Sequence, residues 1–303
     1  MKRRDFIKSN AAAILAGCLP FNNLLANTVK SVVWEVAGAS IESFTALFAR
    51  LGGLEKFIKS DITRATILIK PNICLPLPPS SATTTSPSAI EGLCEYLIEA
   101  GAKRIIIADH TLQDTDRFNK ILLHEIAGTY PEVKLVLANE QRYYSPVGVN
   151  GKELKQTEIM KLVRKADLLI NMPTAKHHSA THVSLATKNL MGMIWDRAEF
   201  HTGLDLHQAI GDLTLAIRPQ LNIIDAGRIL LNGGPTGPGP IINENRLFAS
   251  TDIVAVDALV ASRYDFGGKS FPPDQIAHLR AAYQNGVGEL DLDNIELKQI
   301  ELE

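Results

Sequence analysis

Histidine and lysine are concentrated in residues 176–192, KHHSATHVSLATKNLMG, whose other side chains are mostly small, hydroxylated or aliphatic. Histidine binds transition metals and titrates near neutral pH. On a helix, the four-residue spacing of His178 and His182 would put both rings on one side, as two ligands of a transition metal require. The pair lacks the glutamate of the H-E-x-x-H zinc motif, so hydrogen-bonded or surface histidines are the alternative interpretation.

Three lysines favour an anion over a metal ion alone at the same place. The ammonium groups of Lys70, Lys176 and Lys188 would repel a cation, whereas a phosphate or a carboxylate would attract all three. Each lysine taken singly is also consistent with a solvated surface charge. Together they predict an anion site in which Lys176 and His178 are the catalytic candidates, with His178 as an acid or base.

The other candidate residues follow predicted strands or lie in loops beside them. Ligands of open parallel sheets bind beyond the carboxyl ends of the strands. Hydroxyl groups and glycine amides near those ends add hydrogen-bond donors for an anion. The predicted ligand-binding residues are Lys70, Asn72, Thr84, Asp109, Lys188, Asn189, Asp225, Gly233 and Gly234.

Aliphatic runs of strand length alternate along the chain with segments of helical periodicity. The runs predict strands at residues 31–36, 65–72, 104–109, 133–139, 167–173 and 221–226. The helical segments are residues 40–58, 86–102, 118–130, 157–166 and 205–217. This alternation predicts an α/β fold with a mostly parallel sheet covered by helices, and a glycine- and proline-rich loop, residues 232–240, near the strand ends.

The pattern contains no repeat and no low-complexity linker. Residues 29–303 are therefore predicted to form a single α/β domain, and the weakest candidate for a seam between two lobes lies near residues 148–151. The alternating C-terminal segment IELKQIEL predicts an exposed or edge strand.

Composition limits the classes of partner. The chain has 31 lysines and arginines against 33 aspartates and glutamates, a net charge of −2. The charges are interspersed, so no broad basic surface is available for a nucleic-acid backbone. The predicted partner is an anionic small molecule, with no nucleic acid.

The cysteines limit the cofactors. If Cys18 is removed or lipidated with the leader, only Cys74 and Cys94 remain, and two cysteines cannot hold a four-thiolate iron–sulfur cluster. The remaining pair could form a disulfide, or could be two small buried apolar residues. A transition metal stays open as a cofactor.

The first residues have the features of an export signal. Arg3 and Arg4 precede an uncharged, weakly apolar run, which is typical of a twin-arginine leader over residues 1–26. A lipobox ending at Cys18 and a cleavage after Ala26 compete as processing sites, and a hydrophobic N-terminal helix is the alternative to a leader. We therefore expect a protein that contacts the twin-arginine translocation machinery and is periplasmic or lipid-anchored at the cell envelope.

Several motifs, in this order, resemble the domain-of-unknown-function 362 family. They are KPN at residues 70–72, ATTTSP at 82–87, GAKRIIIAD, NMPTAKHHSATHVSLATKNLMG, AIGDL, IIDAGRILLNGGPTGPG and ASTDIVAVDAL. The resemblance covers about residues 30–265 and identifies a family rather than a function.

The resemblance also assigns residues. The lysine and histidine of the family fall on Lys176 and His178, its lysine–asparagine pair on Lys188 and Asn189, and its early pair on Lys70 and Asn72. His182 stands where the family has a small residue, which weakens it as a metal ligand. Members often carry a twin-arginine leader or an appended ferredoxin-like cysteine cluster. This chain has the leader and lacks the cluster, so a redox function is not implied.

Two functions are consistent with these residues. The first is an exported enzyme that binds an anionic small molecule or cofactor at the strand ends. The second is a non-catalytic protein of the cell envelope that holds a metal or cofactor, or assists its maturation.

Overall fold

Buried aliphatic runs form the centre of a sheet in the computed structural model, which describes residues 30–75, 77–112 and 119–302. The predicted leader, Cys18 and both candidate cleavage sites lie outside these residues. The described strands are β1 (Ser31–Ala37), β2 (Ile67–Pro71), β3 (Ile105–Asp109), β4 (Val133–Leu137), β5 (Tyr144–Gly148), β6 (Gln156–Met160), β7 (Leu168–Met172), β8 (Thr174–His178), β9 (His182–Ser184), β10 (Leu221–Leu230), β11 (Ile241–Ser250) and β12 (Ile295–Ile300).

Most of the segments predicted to be helical do form helices, and further helices lie outside them. They are α1 (Ile41–Leu51), α2 (Pro87–Glu99), α3 (Asn119–Thr129), α4 (Lys161–Lys165), α5 (Ala186–Asn189), α6 (Arg197–Thr202), α7 (Leu206–Ala216), α8 (Ile253–Arg263) and α9 (Ala277–Gln284). No helix of the described residues is both long enough and apolar enough to span a membrane.

The main sheet is mixed but mostly parallel, as the sequence predicts. Its order is β12-β1-β11-β10-β7-β2-β3-β4. Strands β10, β7, β2, β3 and β4 pair in parallel, and β11 runs antiparallel to both of its neighbours. Strand β12 pairs with β1 at one edge, which confirms the predicted C-terminal edge strand.

Helices cover both faces of this sheet. On one face α1, α2 and α3 contribute side chains such as Phe44, Leu93 and Leu123 to a continuous apolar cluster. On the other face α7, α8 and α9 contribute a second cluster that includes Leu213 and Val256. Strands β2 and β7 are buried along their whole lengths because both of their faces are covered, which explains their uninterrupted aliphatic sequences.

Two sequence predictions of secondary structure are wrong. The helix predicted at residues 157–166 is instead β6 followed by the single turn of α4. Strand β6 pairs antiparallel with β5 along one edge, and on its other edge the carbonyl of Glu158 accepts a hydrogen bond from the amide of Trp195 at 3.0 Å. The turn between these two strands contains residues 149–151, most of the proposed seam.

The second error concerns the segment that carries the histidines. Residues 176–184 form an antiparallel hairpin of β8 and β9, in which His178 lies directly opposite His182. Strand β8 is held in place by parallel pairing with β10, a strand about fifty residues further along the chain. The four-residue spacing of the two histidines is therefore not that of a helical face.

Candidate active site

A cavity of about 490 Å³, called here the main cavity, lies beyond the carboxyl ends of β2 and β3 and beside β8, α5 and α6. The position agrees with the general location of ligand sites in open α/β sheets. It brings together seven of the residues predicted from sequence: Lys70, Asn72, Asp109, Lys176, His178, Lys188 and Asn189.

Lys70 and Asp109 form a buried ion pair at the floor of this cavity. Their nitrogen and oxygen lie 2.8 Å apart and each side chain is 1% exposed. The other oxygen of Asp109 accepts a hydrogen bond from the amide of Ile73 at 2.9 Å. Burial lowers the pKa of Lys70, and the charge of Asp109 opposes this effect. A Cβ atom at Gly192 would collide with both members of the pair and would displace them, so the glycine leaves room for this ion pair.

A chain of buried amides fixes this ion pair from behind. Asn189 receives a hydrogen bond from Lys70 at 3.4 Å and donates to Asn171 at 2.8 Å. Asn171 donates in turn to Asn222 at 3.0 Å. Three neighbouring elements, β7, β10 and α5, are thereby linked to the lysine through side chains whose hydrogen bonds are made inside the protein.

Lys176 is equally buried but lacks a carboxylate partner among the described residues. Its ammonium group donates to the carbonyl of Thr83 at 2.6 Å and to the side-chain oxygen of Asn72 at 3.3 Å. Both acceptors are neutral, and the side chain is 2% exposed. Burial lowers the pKa of Lys176, and the charge of nearby Lys70 acts in the same direction. A negative charge in the cavity would stabilise the protonated form of this lysine.

Lys188 is positioned by a short helix that another helix holds. The first amides of α5, those of Ala186 and Thr187, donate to the carboxylate of Asp257 on α8 at 2.7 and 2.8 Å. Lys188 follows immediately and lines the main cavity. Burial lowers the pKa of Lys188 to about 8, and the charge of Lys176 adds to this shift. Within the described residues its ammonium group has no hydrogen-bond or ion-pair partner.

His178 is a neutral imidazole with one nitrogen already engaged. The amide of Ala180 donates to its Nδ1 at 3.2 Å, which leaves the proton on Nε2. Burial lowers the pKa of His178 to about 3, and the charges of Lys188 and Lys176 reinforce this. The ring is therefore suited to donate a hydrogen bond from Nε2 at neutral pH rather than to accept a proton.

Sequence reasoning missed several residues of the main cavity. Arg197 and His201 on α6 line it, together with Cys74, Ser179 and Ser184. Arg197 donates to the carbonyl of His110 at 2.9 Å and has no carboxylate partner among the described side chains. Helix α6 begins only a few residues after the histidine-rich segment. This short distance along the chain is the feature of the sequence that could have indicated Arg197 and His201 as neighbours of the site.

Two predicted residues face elsewhere. Thr84 and Asp225 line a separate cavity of about 320 Å³, called here the second cavity. Residues 82–86 lie between the two: the carbonyl of Thr83 accepts the hydrogen bond from Lys176, and Thr84 lines the second cavity. Position in sequence did not distinguish these two sides of one loop.

The glycine-rich loop contributes less to the site than its composition predicts. The amide of Gly233 donates to the side chain of Asn232, and that of Gly234 donates to Nδ1 of His177 at 3.1 Å. Both donors are therefore used within the protein. The next residue, Pro235, does line the main cavity.

The surroundings of His182 differ from those of His178. Its ring packs against Phe271, with the centroids 4.4 Å apart, and it is absent from the lining of the main cavity. The described part of the chain has no group of three or more histidine, cysteine or acidic side chains arranged to hold a metal ion. Cys74 and Cys94 are both free thiols, and Cys94 is buried among apolar side chains.

Comparison with known proteins identifies relatives but no activity. Residues 67–262 match the family model described as "Domain of unknown function (DUF362)". The thylakoid-associated protein sll1697 of Synechocystis sp. is 24% identical over 241 residues, which are 74% of this chain and 70% of that protein.

Among solved structures, the lactate racemase apoprotein from Thermoanaerobacterium thermosaccharolyticum superposes with a TM-score of 0.42 at 13% identity. The superposition covers 85% of this chain and 57% of the racemase chain.

Proposed function

Because this chain belongs to the DUF362 family, whose description names no activity, we propose a function from the main cavity itself: the protein is an enzyme that binds and converts a small anionic molecule. The observation that supports this proposal is an excess of positive charge. Lys176, Lys188 and Arg197 line the cavity, whereas the one carboxylate on its described lining, that of Asp109, already pairs with Lys70.

An anion is the ligand that this charge distribution favours. Burying an ammonium group with only neutral partners costs free energy, and a bound phosphate or carboxylate offsets that cost. Apolar side chains, among them Leu112 and Met191, form much of the remaining wall. The lining therefore suits an organic molecule that bears a phosphate or carboxylate group.

The proposed roles follow from protonation states. Lys176 binds the anionic group. His178 donates a hydrogen bond from Nε2 to a carbonyl or hydroxyl oxygen of the ligand. The sequence predicted it as an acid or base, and we now propose a hydrogen-bond donor instead. Lys188, with a pKa of about 8, has a neutral fraction near physiological pH and is the candidate base or nucleophilic amine.

Isothermal titration calorimetry tests the anion site. We expect inorganic phosphate, acetate and pyruvate to include at least one ligand whose binding is weakened at least about tenfold by Lys176→Ala and Lys188→Ala together. Lys269→Ala, at an exposed lysine outside the cavity, is the matched control. Unchanged binding in a folded double variant would contradict the proposal.

A non-catalytic binding protein is the second candidate, and the unusual histidine favours it. An imidazole with a pKa of about 3 does not exchange protons near neutral pH, so His178 could serve binding alone. The two candidates differ in the response to His178→Ala. An enzyme loses turnover of the bound anion while most of its affinity is kept, whereas a binding protein shows a change of affinity only.

Export remains part of the proposed function and is supported by Arg3 and Arg4. We expect Arg3→Lys with Arg4→Lys to keep the protein in the cytoplasm of a bacterium that has the twin-arginine machinery. Cell fractionation followed by immunoblotting measures this. Cys18→Ala in the same assay distinguishes a lipid anchor, which it would abolish, from cleavage after Ala26, which it would leave intact.

A further inference from the structure

The second cavity has a polar wall that the proposed function does not use. Most of it is built by residues 79–89, which include the start of α2, by the middle of β10 and by the first half of β11, and Ala39 and Thr174 complete it. Its lining shares no residue with that of the main cavity. Its polar lining residues are Thr84, Ser86, Ser88, Thr174, Asp225, Arg228, Asn243 and Asn245.

Arg228 supplies positive charge to this cavity. Its side chain is partly buried and makes no hydrogen bond or ion pair with any residue that the structure describes. A guanidinium group presents five N–H donors in a planar fork that matches carboxylate and phosphate oxygens. Its charge opposes the effect of burial, which raises the pKa of nearby Asp225, but none of its N–H donors is used by a described residue, so these donors are available to a ligand.

The start of α2 adds further donors. The helix has 13 residues, and Pro87 at its first position has no N–H group. The amide of Ser88 lies in the unpaired first turn and has no partner among the described residues. Such an amide, together with the partial positive charge of a helix N-terminus, favours an anion. The hydroxyl groups of Ser86 and Ser88 lie 2.8 Å apart beside it.

An independent anomaly lies on the same wall. Thr84 is 3% exposed, and its hydroxyl oxygen has no hydrogen-bond partner in the described part of the chain. A buried hydroxyl without a hydrogen-bond partner destabilises the folded protein. The adjoining cavity is the place from which a partner could be supplied.

Asp225 does not turn this cavity into a cation site. One of its carboxylate oxygens accepts from the amide of Ser86 at 2.7 Å, and the other accepts from the amide of Gly227 at 2.9 Å. Both oxygens are thus directed at the backbone. Arg228 would also repel a metal ion placed beside it.

We propose that the second cavity is a separate oxyanion site, which binds the phosphate or carboxylate group of a small molecule between Arg228 and the N-terminus of α2. The guanidinium group, the Ser88 amide and the hydroxyl groups of Thr84, Ser86 and Ser88 are its donors. The site is independent of catalysis in the main cavity.

Calorimetric titration of the full-length Lys188→Gln variant tests this site, because the main cavity is weakened in that background. Inorganic phosphate and acetate are the probes, and the tighter of the two identifies the ligand group. We expect Arg228→Gln to weaken the remaining binding at least about tenfold, as loss of a charge-assisted hydrogen bond should. Thr84→Val, which removes only the hydroxyl, should weaken it severalfold.

Arg218→Gln is the matched control, since Arg218 is exposed and lies outside both cavities. Circular dichroism confirms that each variant is folded. Titrations that are identical for the parent, Arg228→Gln and Thr84→Val, or an absence of residual binding for both probes, overturn the oxyanion site. Neither result affects the Lys176 and Lys188 experiment, so the two proposals can fail separately.

Discussion

At the scale of single residues, Lys188 shows how burial changes chemistry without changing composition. A lysine in water is protonated at neutral pH because its pKa is about 10.4. In the wall of the main cavity, burial and the neighbouring Lys176 charge lower the pKa of Lys188 to about 8. A lysine of this kind can act as a base or a nucleophile, which a solvated surface lysine rarely does.

Competitive labelling with acetic anhydride measures this property directly. We expect the reactivity of Lys188 to rise with a midpoint near pH 8, because only the neutral amine reacts, and a bound anion should move that midpoint upward. Exposed Lys269 serves as the reference lysine in the same digest. If the reactivities of Lys188 and Lys269 rose with the same pH midpoint, the result would contradict a lowered pKa of Lys188.

At the scale of elements, the main cavity depends on a contact between α5 and α8 that lies outside the cavity lining. Helix α5 has only four residues and is too short to be stable by itself. Its two leading amides and the hydroxyl of Thr187 all donate to Asp257, at distances of 2.7–2.8 Å. Asp257 on α8 is therefore a positioning residue for Lys188.

Asp257→Asn tests that role. The change keeps the volume but presents an NH₂ group to donors, so at least one buried hydrogen bond is lost. We expect the free energy of unfolding to fall by about 1–3 kcal/mol in urea titrations, and anion binding in the main cavity to weaken. Asp265→Asn, at an exposed aspartate, is the control. Equal stability of the two variants would rule out the positioning role.

A histidine between two other helices, α7 and α9, should make the stability of the protein depend on pH. His278 on α9 is fully buried, neither of its ring nitrogens has a partner among the described residues, and its ring lies 6.0 Å from that of His207 on α7. Burial holds the pKa of His278 well below its ordinary value, and the charge of His207 contributes. The native state therefore requires the neutral ring.

The sign of the effect on stability follows from this shift. Above pH 6.5 the ring is neutral in both states, and below it the unfolded state binds a proton that the native state does not. Stability should thus fall with acidification, by up to about 1.4 kcal/mol per pH unit from this group.

Urea unfolding between pH 7.5 and 5.5 should show a smaller slope for His278→Leu than for the parent. His124→Leu, at an exposed histidine, should keep the parent slope. Equal slopes in all three proteins would exclude His278 as the source of the pH dependence.

At the scale of the whole molecule, both apolar clusters share one sheet. Side chains of β2 and β7 enter the clusters alternately, for example Leu68 and Leu169 on one face and Ile69 and Ile170 on the other. Neither cluster can lose its packing without uncovering the sheet beneath it. We therefore expect the two faces to unfold together, as the sequence prediction of a single domain requires.

The two tryptophans test this cooperativity because they report on different clusters. Trp34 packs against one and Trp195 against the other. Trp34→Phe and Trp195→Phe each leave a single reporter, whose fluorescence midpoint in urea should coincide with the midpoint from circular dichroism of the same variant. Separate midpoints in either protein would indicate two folding units.

The architecture and seven of the residues that line the main cavity were predicted from local patterns in the chain. Buried strands need continuous aliphatic runs, and the ends of parallel strands converge, so Lys70, Asn72, Asp109 and Lys176 were predictable as neighbours. These features can be predicted from sequence because they depend on hydrophobic periodicity and on residue type. That these residues bind an anion stays a prediction.

Other features of the fold and of the candidate site depend on contacts between segments that are distant in sequence. The β8–β9 hairpin joins the sheet because β8 pairs with residues near 225–230, and no local pattern encodes that pairing. Thr84 and Asp225 line the second cavity whereas Lys176 lines the main cavity, because tertiary packing brings residues 79–89 against β10 and β11 on one side and puts Lys176 beside β2 and α5 on the other. The protonation states of Lys188 and His178 depend on burial by side chains far away in sequence. Periodicity describes which face of an element is apolar, whereas desolvation and pairing depend on what that face meets after folding.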